Sequence, residues 1–337
     1  MKINFIFNDV YTYNSPGWDP GDIRLSGTER GIVEWAEELA SRKHIVAIYH
    51  NRRMPMTHTF LRGVDYIDRN AYPLSIRGSK TVKRVTVLVN HRDTKIKGAT
   101  VYYTNEDTAP SQDLHGYCAV IQISGWAARN FPVNNDNVFI VPHGYDDRLT
   151  YPEPKIAKQC LYSSSPDRGL EVLLRAWPKV LRSVPDATLK VTYGAPPMNL
   201  PNAEFLGDVS EDGMNALYRQ SEFWLHPCTG IEMQCIAALK AQAALAIPVV
   251  IPAMALQETV RVGYQTPSPE GYADLLIEAL TNHERNAQLR HSLATLDRKY
   301  LPTIKDSVDK LEEVLEFAWN TRPRKENRWT STRGKKT

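Results

Sequence analysis

Three short segments carry residue types and spacings that could do chemistry. The first is Leu25-Ser-Gly-Thr-Glu-Arg-Gly-Ile32. Gly27 lets a backbone approach a ligand closely, and Thr28 is placed to cap a following helix. Exposed N–H groups at a helix start attract anions. Taken alone, though, the segment reads as an ordinary capped helix start. The second runs from Cys160 to Trp177, an apolar strand leading through a Ser-rich turn into a helix. Arg168 at that helix start can pair with a phosphate in bidentate fashion, and the hydroxyls of the turn, Ser164 among them, can add hydrogen bonds. A Ser/Asp-capped helix with a solvated Arg fits equally well. The third runs from Leu225 to Ala243. A strand ends, Thr229 and Gly230 make a turn, and a helix is expected from near Glu232. That Glu is either a charge at the favourable end of a helix dipole or a group presented to a cleft beside free N–H groups. Lys240 follows eight residues on, roughly 12 Å up the axis and about 80° round it. Two side chains so placed could touch two ends of one elongated ligand.

The elements around these segments follow an α/β beat. Ile3–Phe7, Ile45–Tyr49, Val85–Val89, Val101–Tyr103, Ala119–Ile123 and Val138–Val141 read as strands, and Thr28–Arg42 as a helix with Ile32, Val33, Ala36, Leu39 and Ala40 on one face. A connector rich in Pro, Tyr and Asp spans Pro142 to Pro154. The beat then restarts with strands at Gln159–Tyr162, Thr188–Tyr193, Glu222–Leu225 and Val249–Ile251. Helices are expected at Arg168–Leu181, Ser210–Gln220, Glu232–Leu245 and finally Lys305–Trp319. Two successive units of this kind predict two Rossmann-like domains with parallel sheets, residues 1–145 and 146–304, facing a central cleft. The last helix, residues 305–320, is expected to cross back to the first domain, and 321–337 to be a basic, flexible tail.

Composition agrees with such a chain. A length of 337 residues suggests two domains, and 42% hydrophobic residues supply apolar material for both cores. No apolar run is long enough to span a bilayer, and the start is not expected to be a signal peptide. The net charge of +3 hides an asymmetry: the final 17 residues hold seven Lys/Arg and one Glu, whereas the other 320 carry 34 basic and 37 acidic groups. Cys118, Cys160, Cys228 and Cys235 form no CxxC pair and read as free thiols in a reducing, cytoplasmic compartment. The nine His show no metal-ligand spacing, so no metal is expected.

In their order and spacing, "YSSSPDRGLEVLLRAWPKV", "FLGDVS", "HPCTGIEMQCIAALKAQAALAIPVVIP" and "ALQETV" resemble the GT-B glycosyltransferases, specifically the large retaining family numbered four (glycosyl transferases group 1). In the first half, "LSGTERGIVEWAEELASRKHIVAIY" resembles the family's Gly-rich loop, helix and second strand, and "VFIVPHGYD" its domain-linking segment. The resemblance implies that Glu232 contacts the hydroxyls of a donor sugar. Backbone N–H groups around Gly230, Ile231 and Met233 would face the sugar and diphosphate, Arg168 would bind phosphate, and Gly27 would approach it from the first domain. The family's second Glu, which holds the nucleotide ribose, is Lys240 here, and a Lys cannot accept hydrogen bonds from ribose hydroxyls. The family's first-domain His near the sugar has no counterpart, and Asn105 or Glu106 falls nearest.

The resemblance thus implies a sugar transferred from a nucleotide-sugar, UDP-linked in first place and GDP-linked as the alternative, with retention and without a metal. The acceptor would be a glycan or lipid hydroxyl. A hydroxylated base in DNA is the other candidate, suggested by the tail and by Arg77, Lys80, Lys83, Arg84, Arg92, Lys95 and Lys97. Two rivals share the scaffold: a sugar-nucleotide or glycan-binding protein without turnover, motivated by Lys240, and a sugar-nucleotide epimerase or hydrolase.

Overall fold

The computed structural model describes residues 1–7, 27–50, 58–68, 83–89, 99–104, 114–193, 198–297 and 299–323. Its first sheet contains β1 (Lys2–Phe7), β2 (Ile45–His50), β3 (His58–Leu61), β4 (Val64–Asp68), β5 (Arg84–Val89), β6 (Ala99–Thr104), β7 (Ala119–Gln122) and β8 (Val138–Ile140). They lie in the order β3-β4-β2-β1-β5-β6-β7-β8, parallel throughout except for the β3–β4 hairpin at the edge. Alternation explains why the central strands are apolar on both faces. Ile3 and Phe5 join the core beneath the helices, while Ile6 points to a smaller cluster with Leu88, Tyr102 and Val120 on the other face. Helix α1 (Gly27–Ser41) covers the first face with Ile32, Val33, Trp35, Ala36 and Leu39, and α2 (Gly125–Asn130) follows β7.

The second sheet contains β9 (Ile156–Tyr162), β10 (Thr188–Thr192), β11 (Ala203–Gly207), β12 (Ser221–His226), β13 (Ile247–Val250) and β14 (Tyr264–Gln265), all parallel, in the order β11-β10-β9-β12-β13-β14. Helices α3 (Leu170–Ser183), α4 (Glu211–Gln220), α5 (Ile236–Ala243), α6 (Leu256–Thr259), α7 (Tyr272–Thr281) and α8 (His283–Ala294) pack around it. The strand order reverses between β9 and β12: the chain moves outward to one edge after β9 and to the other after β12. Loops leaving adjacent strands in opposite directions open a crevice at their carboxyl ends. The second and third chemical segments are these two loops.

Helix α9 (Ile304–Thr321) returns to the first sheet, where Val308, Leu311, Val314, Leu315 and Ala318 are buried in its core. A capping box between Thr303 and Asp306 starts it. The two strands of chain that connect the lobes pair with each other. The Tyr145 amide donates to the Pro302 carbonyl at 3.1 Å, and the Ile304 amide to the Tyr145 carbonyl at 3.0 Å. A Cβ on Gly144 would lie 2.2 Å from the Thr303 backbone, so only glycine permits this approach.

Several sequence expectations are corrected. Thr28 is the second residue of α1, which begins at Gly27, and so sits inside the first turn rather than capping it. Helix α3 starts at Leu170, leaving Arg168 in the preceding turn. Helix α5 starts at Ile236, leaving Glu232 in irregular chain, so the helical geometry linking Glu232 to Lys240 does not apply. The cause is the same in both: Gly169 (φ 96°) and Cys235 (φ 69°) are left-handed and cannot belong to the right-handed helices they precede. The β3–β4 hairpin, α2 and the edge strands β11 and β14 were not anticipated. Among the described residues no helix is long and apolar enough to cross a membrane.

Gly144→Ala is expected to cost about 1–3 kcal/mol of stability, because the clash is with backbone that cannot rotate away. Chemical denaturation of the variant beside the parent protein checks this.

Candidate functional site

The loop from Pro227 to Cys235, between β12 and α5, is held on three sides. On the first, a Cβ at Gly169 would lie 2.2 Å from the Pro227 carbonyl oxygen, so the loop after β9 rests directly on the loop after β12. On the second, Met233 is buried in the first lobe's core and Ile231 packs against it. On the third, the Gln234 side chain grips the inter-lobe connector at His143, accepting from its amide at 2.9 Å and donating to its carbonyl at 2.9 Å. The Ala255 amide also donates to the Glu232 carbonyl at 3.1 Å. Irregular chain is thereby fixed as firmly as a regular element.

His143 is buried against the Trp35 ring, with centroids 4.5 Å apart, and its Nε2 meets the Tyr103 hydroxyl at 2.7 Å. Burial, aided by the charge of Lys240, lowers its pKa to about 3, so the ring is neutral at physiological pH. Gly31 in α1 leaves room for it: a Cβ there would lie 2.4 Å from the imidazole.

The pinned loop presents Glu232 to His226, the last residue of β12. His226 is fully buried, stacks on Trp224 at 4.9 Å, and meets the Ser164 hydroxyl through Nδ1 at 3.1 Å. Its Nε2 lies 3.4 Å from Glu232 Oε2. Burial pushes the Glu232 carboxyl up, but His226, Arg168 and Cys235 outweigh it and hold the group below the ordinary carboxylate range. Arg168 lies in the turn before α3, about one-third exposed, 3.6 Å from Asp167. Thr229 and Gly230 are exposed at the loop's outer bend.

A cleft of about 150 Å³ adjoins this group. Gly27, Arg30 and Lys240 line it, together with Thr192, Tyr193 and Asp208. Ser163 also lines it, while its neighbour Ser164 contacts His226, so successive residues of one turn serve the two halves of the site. Lys240 forms an inter-lobe ion pair with Glu34 of α1 at 3.4 Å, both largely buried. Burial raises the Glu34 carboxyl above its usual range even though Lys240 opposes the shift. Arg30, one turn earlier, reaches Glu211 of α4 at 3.5 Å.

The structure therefore brings Ser164 and Glu232 together against His226, with Arg168 near enough to act on the Glu232 charge, and Gly27 and Lys240 together at the cleft. Ile231 and Met233 direct their side chains into the first lobe, leaving only their backbones for a ligand. Asn105 and Glu106 lie outside the described residues. Sequence reasoning missed His226, Gly169 and Gln234. His226 carried one signal, since a polar residue ending an apolar strand at its carboxyl end faces the ligand side of such a sheet. Nothing local marks Glu34 or His143. Although no metal spacing is visible in the sequence, the folded chain draws His226, Glu232 and Cys235 together, with potential ligand atoms within 4.8 Å of one another.

Residues 158–282 match the family described as "Glycosyl transferases group 1". The structure resembles Anabaena HepE in complex with UDP and glucose (TM-score 0.66, 13% identity, covering 94% of this chain and 99% of that one). It also resembles AviGT4, a glycosyltransferase involved in avilamycin A biosynthesis (TM-score 0.65, 12% identity, 94% and 98% covered). The pneumococcal O-GlcNAc transferase GtfA in complex with UDP and GlcNAc matches with a TM-score of 0.56 at 13% identity, over 70% of this chain; the chain spans just over half, 57%, of that one. Comparison with curated proteins by sequence gives no match. The fold is that of the GT-B glycosyltransferases, and the family match falls within the second lobe.

Gly169→Ala, which adds both a left-handed strain and a 2.2 Å clash with backbone, is expected to displace the Arg168 turn from the Pro227 loop and cost about 1–3 kcal/mol; thermal melts read the loss. Lys240→Ala is expected to cost about 3 kcal/mol by leaving the Glu34 carboxylate buried without its partner. The sign with pH follows from Glu34. Its folded-state pKa already lies above the ordinary value and rises further without Lys240, so the folded protein keeps a proton that the unfolded chain releases. Stability of the variant then falls as pH rises, and denaturation at about pH 5 and about pH 8 should show the larger deficit at the higher value.

Proposed function

We propose that the protein transfers a sugar from a UDP-sugar to an acceptor hydroxyl, in the manner of the retaining family numbered four. Glu232 holds the sugar and Arg168 the diphosphate. One observation carries the reading: at the reversal point of the second sheet, the contact of Gly169 on Pro227 fixes the turn bearing the Arg168 guanidinium against the loop bearing the Glu232 carboxylate, near enough for each charge to act on the other.

The chemistry follows from charge. As the glycosidic bond breaks, negative charge accumulates on the diphosphate. Arg168 and the positive ends of α3 and α5 stabilise it, so the proposed step uses no divalent cation. Glu232 stays ionised and accepts hydrogen bonds from sugar hydroxyls; the pair with His226 fixes its direction. The adjoining cleft takes the nucleoside, with Tyr193 and Met214 as apolar walls and Lys240 as a donor toward ribose or phosphate oxygens. HepE was crystallised with UDP and glucose, which supports a uridine donor over a guanosine one. For the acceptor, a glycan or lipid hydroxyl is favoured over a base in DNA. Lys83, from the basic group that suggested a polyanion, is engaged with Glu316 of α9 at 2.9 Å, and Arg77, Lys80, Arg92, Lys95, Lys97 and residues 324–337 lie outside the described residues.

A second reading, donor binding without turnover, draws on the Lys240–Glu34 pair, which occupies the Lys240 ammonium. A UDP-release assay separates the two, since a binding protein yields no UDP from any donor that it binds.

A thermal-shift panel is expected to favour UDP-sugars over GDP-sugars, with about 2.7 kcal/mol of stabilisation at a hundredfold excess over Kd. No shift with any nucleotide-sugar would overturn the proposal. Glu232→Gln should lower UDP release about 10²–10³-fold with little change in melting temperature, and Arg168→Ala should lower kcat as well as raise donor KM. Full activity in Glu232→Gln would remove that residue from the sugar site.

A further inference from the structure

The side chains of His226, Glu232 and Cys235 converge on one small volume at the end of β12. The His226 Nε2 to Glu232 Oε2 separation is 3.4 Å, longer than the roughly 2.7–2.9 Å of a charge-assisted hydrogen bond. Cys235 Sγ lies 3.9 Å from the same Nε2. All three atoms fall within 4.8 Å of one another. Ligands about 2.0–2.3 Å from a tetrahedral ion are separated by roughly 3.3–3.7 Å. The His226–Glu232 separation lies in that range and the His226–Cys235 separation just beyond it, so small side-chain movements would let the three share one ion.

The surroundings fit the same description. The second ring nitrogen of His226 is held by the Ser164 hydroxyl at 3.1 Å, the outer contact that fixes tautomer and ring direction in metal-bound imidazoles. Stacking on Trp224 at an interplanar angle of 11° removes the remaining rotation. Cys235 is 7% exposed and adopts φ 69°, a conformation costly for a residue with a Cβ, and this turn aims its sulfur at His226 rather than along α5. The loop that carries Glu232 is pinned at Gly169, Met233 and Gln234, so the ligands are arranged before any ion arrives.

We propose that His226 Nε2, Glu232 and Cys235 Sγ form a three-ligand site for a borderline-soft divalent cation, of which zinc is the type, with a fourth position open to water or a ligand. A thiolate, an imidazole and one carboxylate oxygen disfavour magnesium, calcium and manganese, which take oxygen ligands. On binding, the Sγ–H bond breaks, sulfur bonds to the metal, and the proton leaves to solvent. Two anionic ligands neutralise the charge of the ion, and Arg168 lies near enough to Glu232 and Cys235 to feel both. The site itself rests on geometry alone. Its consequence rests on the reading of Glu232 as the sugar ligand: metal and donor then compete for one carboxylate, and zinc inhibits transfer.

Titration of the full chain with Co²⁺, followed by absorbance, tests the site. One equivalent should give a thiolate-to-cobalt charge-transfer band that Zn²⁺ then displaces. The band should vanish in Cys235→Ser and persist in Cys228→Ser, and Ser164→Ala should bind about tenfold more weakly. Circular dichroism checks that each variant is folded. A wild-type protein without the band, or a band that survives in Cys235→Ser, overturns the proposal whatever the variants' stability. Saturating UDP-glucose should weaken cobalt binding. A donor that demonstrably binds yet leaves the band unchanged would remove Glu232 from the sugar site while the metal site stands.

Discussion

The close approach of Gly169 to Pro227 is the constraint on which the site depends. Two loops leave neighbouring strands in opposite directions, and the crevice between them would admit many arrangements. Backbone against backbone at this point leaves one. It fixes the turn bearing Arg168 relative to the loop bearing Glu232, and it does so without using either side chain. The functional groups therefore remain available for a ligand.

The same economy governs the junction between lobes. Gly144 lets the two connectors lie in backbone contact, Gly31 makes space for the His143 ring, and Gln234 satisfies the backbone of His143 from the opposite lobe. Polar groups at this junction are buried but mostly matched, which gives the lobes a defined relation instead of an apolar surface on which they could slide. Lys240 and Glu34 add an ion pair at the cleft itself. The lysine lines the cleft with a donor and is tied there to a carboxylate on the other lobe.

The proposed sugar site and the cluster around His226 share Glu232. A carboxylate with a depressed pKa, a buried imidazole and a thiol can hold a sugar hydroxyl or a metal, and the two uses exclude each other.

Much of this was legible in the residues. Apolar runs at strand spacing, amphipathic helices between them and a polar connector near residue 145 specified two parallel α/β units, because burial on both faces of a strand leaves a mark on every residue of it. Arg168, Glu232 and Lys240 were singled out from their segments, and the structure places the first two on loops in mutual contact and the third at the cleft. The helix starts were misplaced for a local reason: Gly169 and Cys235 take left-handed conformations that tertiary contacts impose, and Cys235 in particular gives no sign of this in its type. The pairing of Lys240 with Glu34, the clamp of Gln234 on His143 and the convergence of His226, Glu232 and Cys235 join residues up to 206 positions apart or place them across a turn of no regular form. Periodicity encodes which face of an element is buried. Only the packed chain decides which polar groups meet, because that depends on where separate elements come to rest against one another.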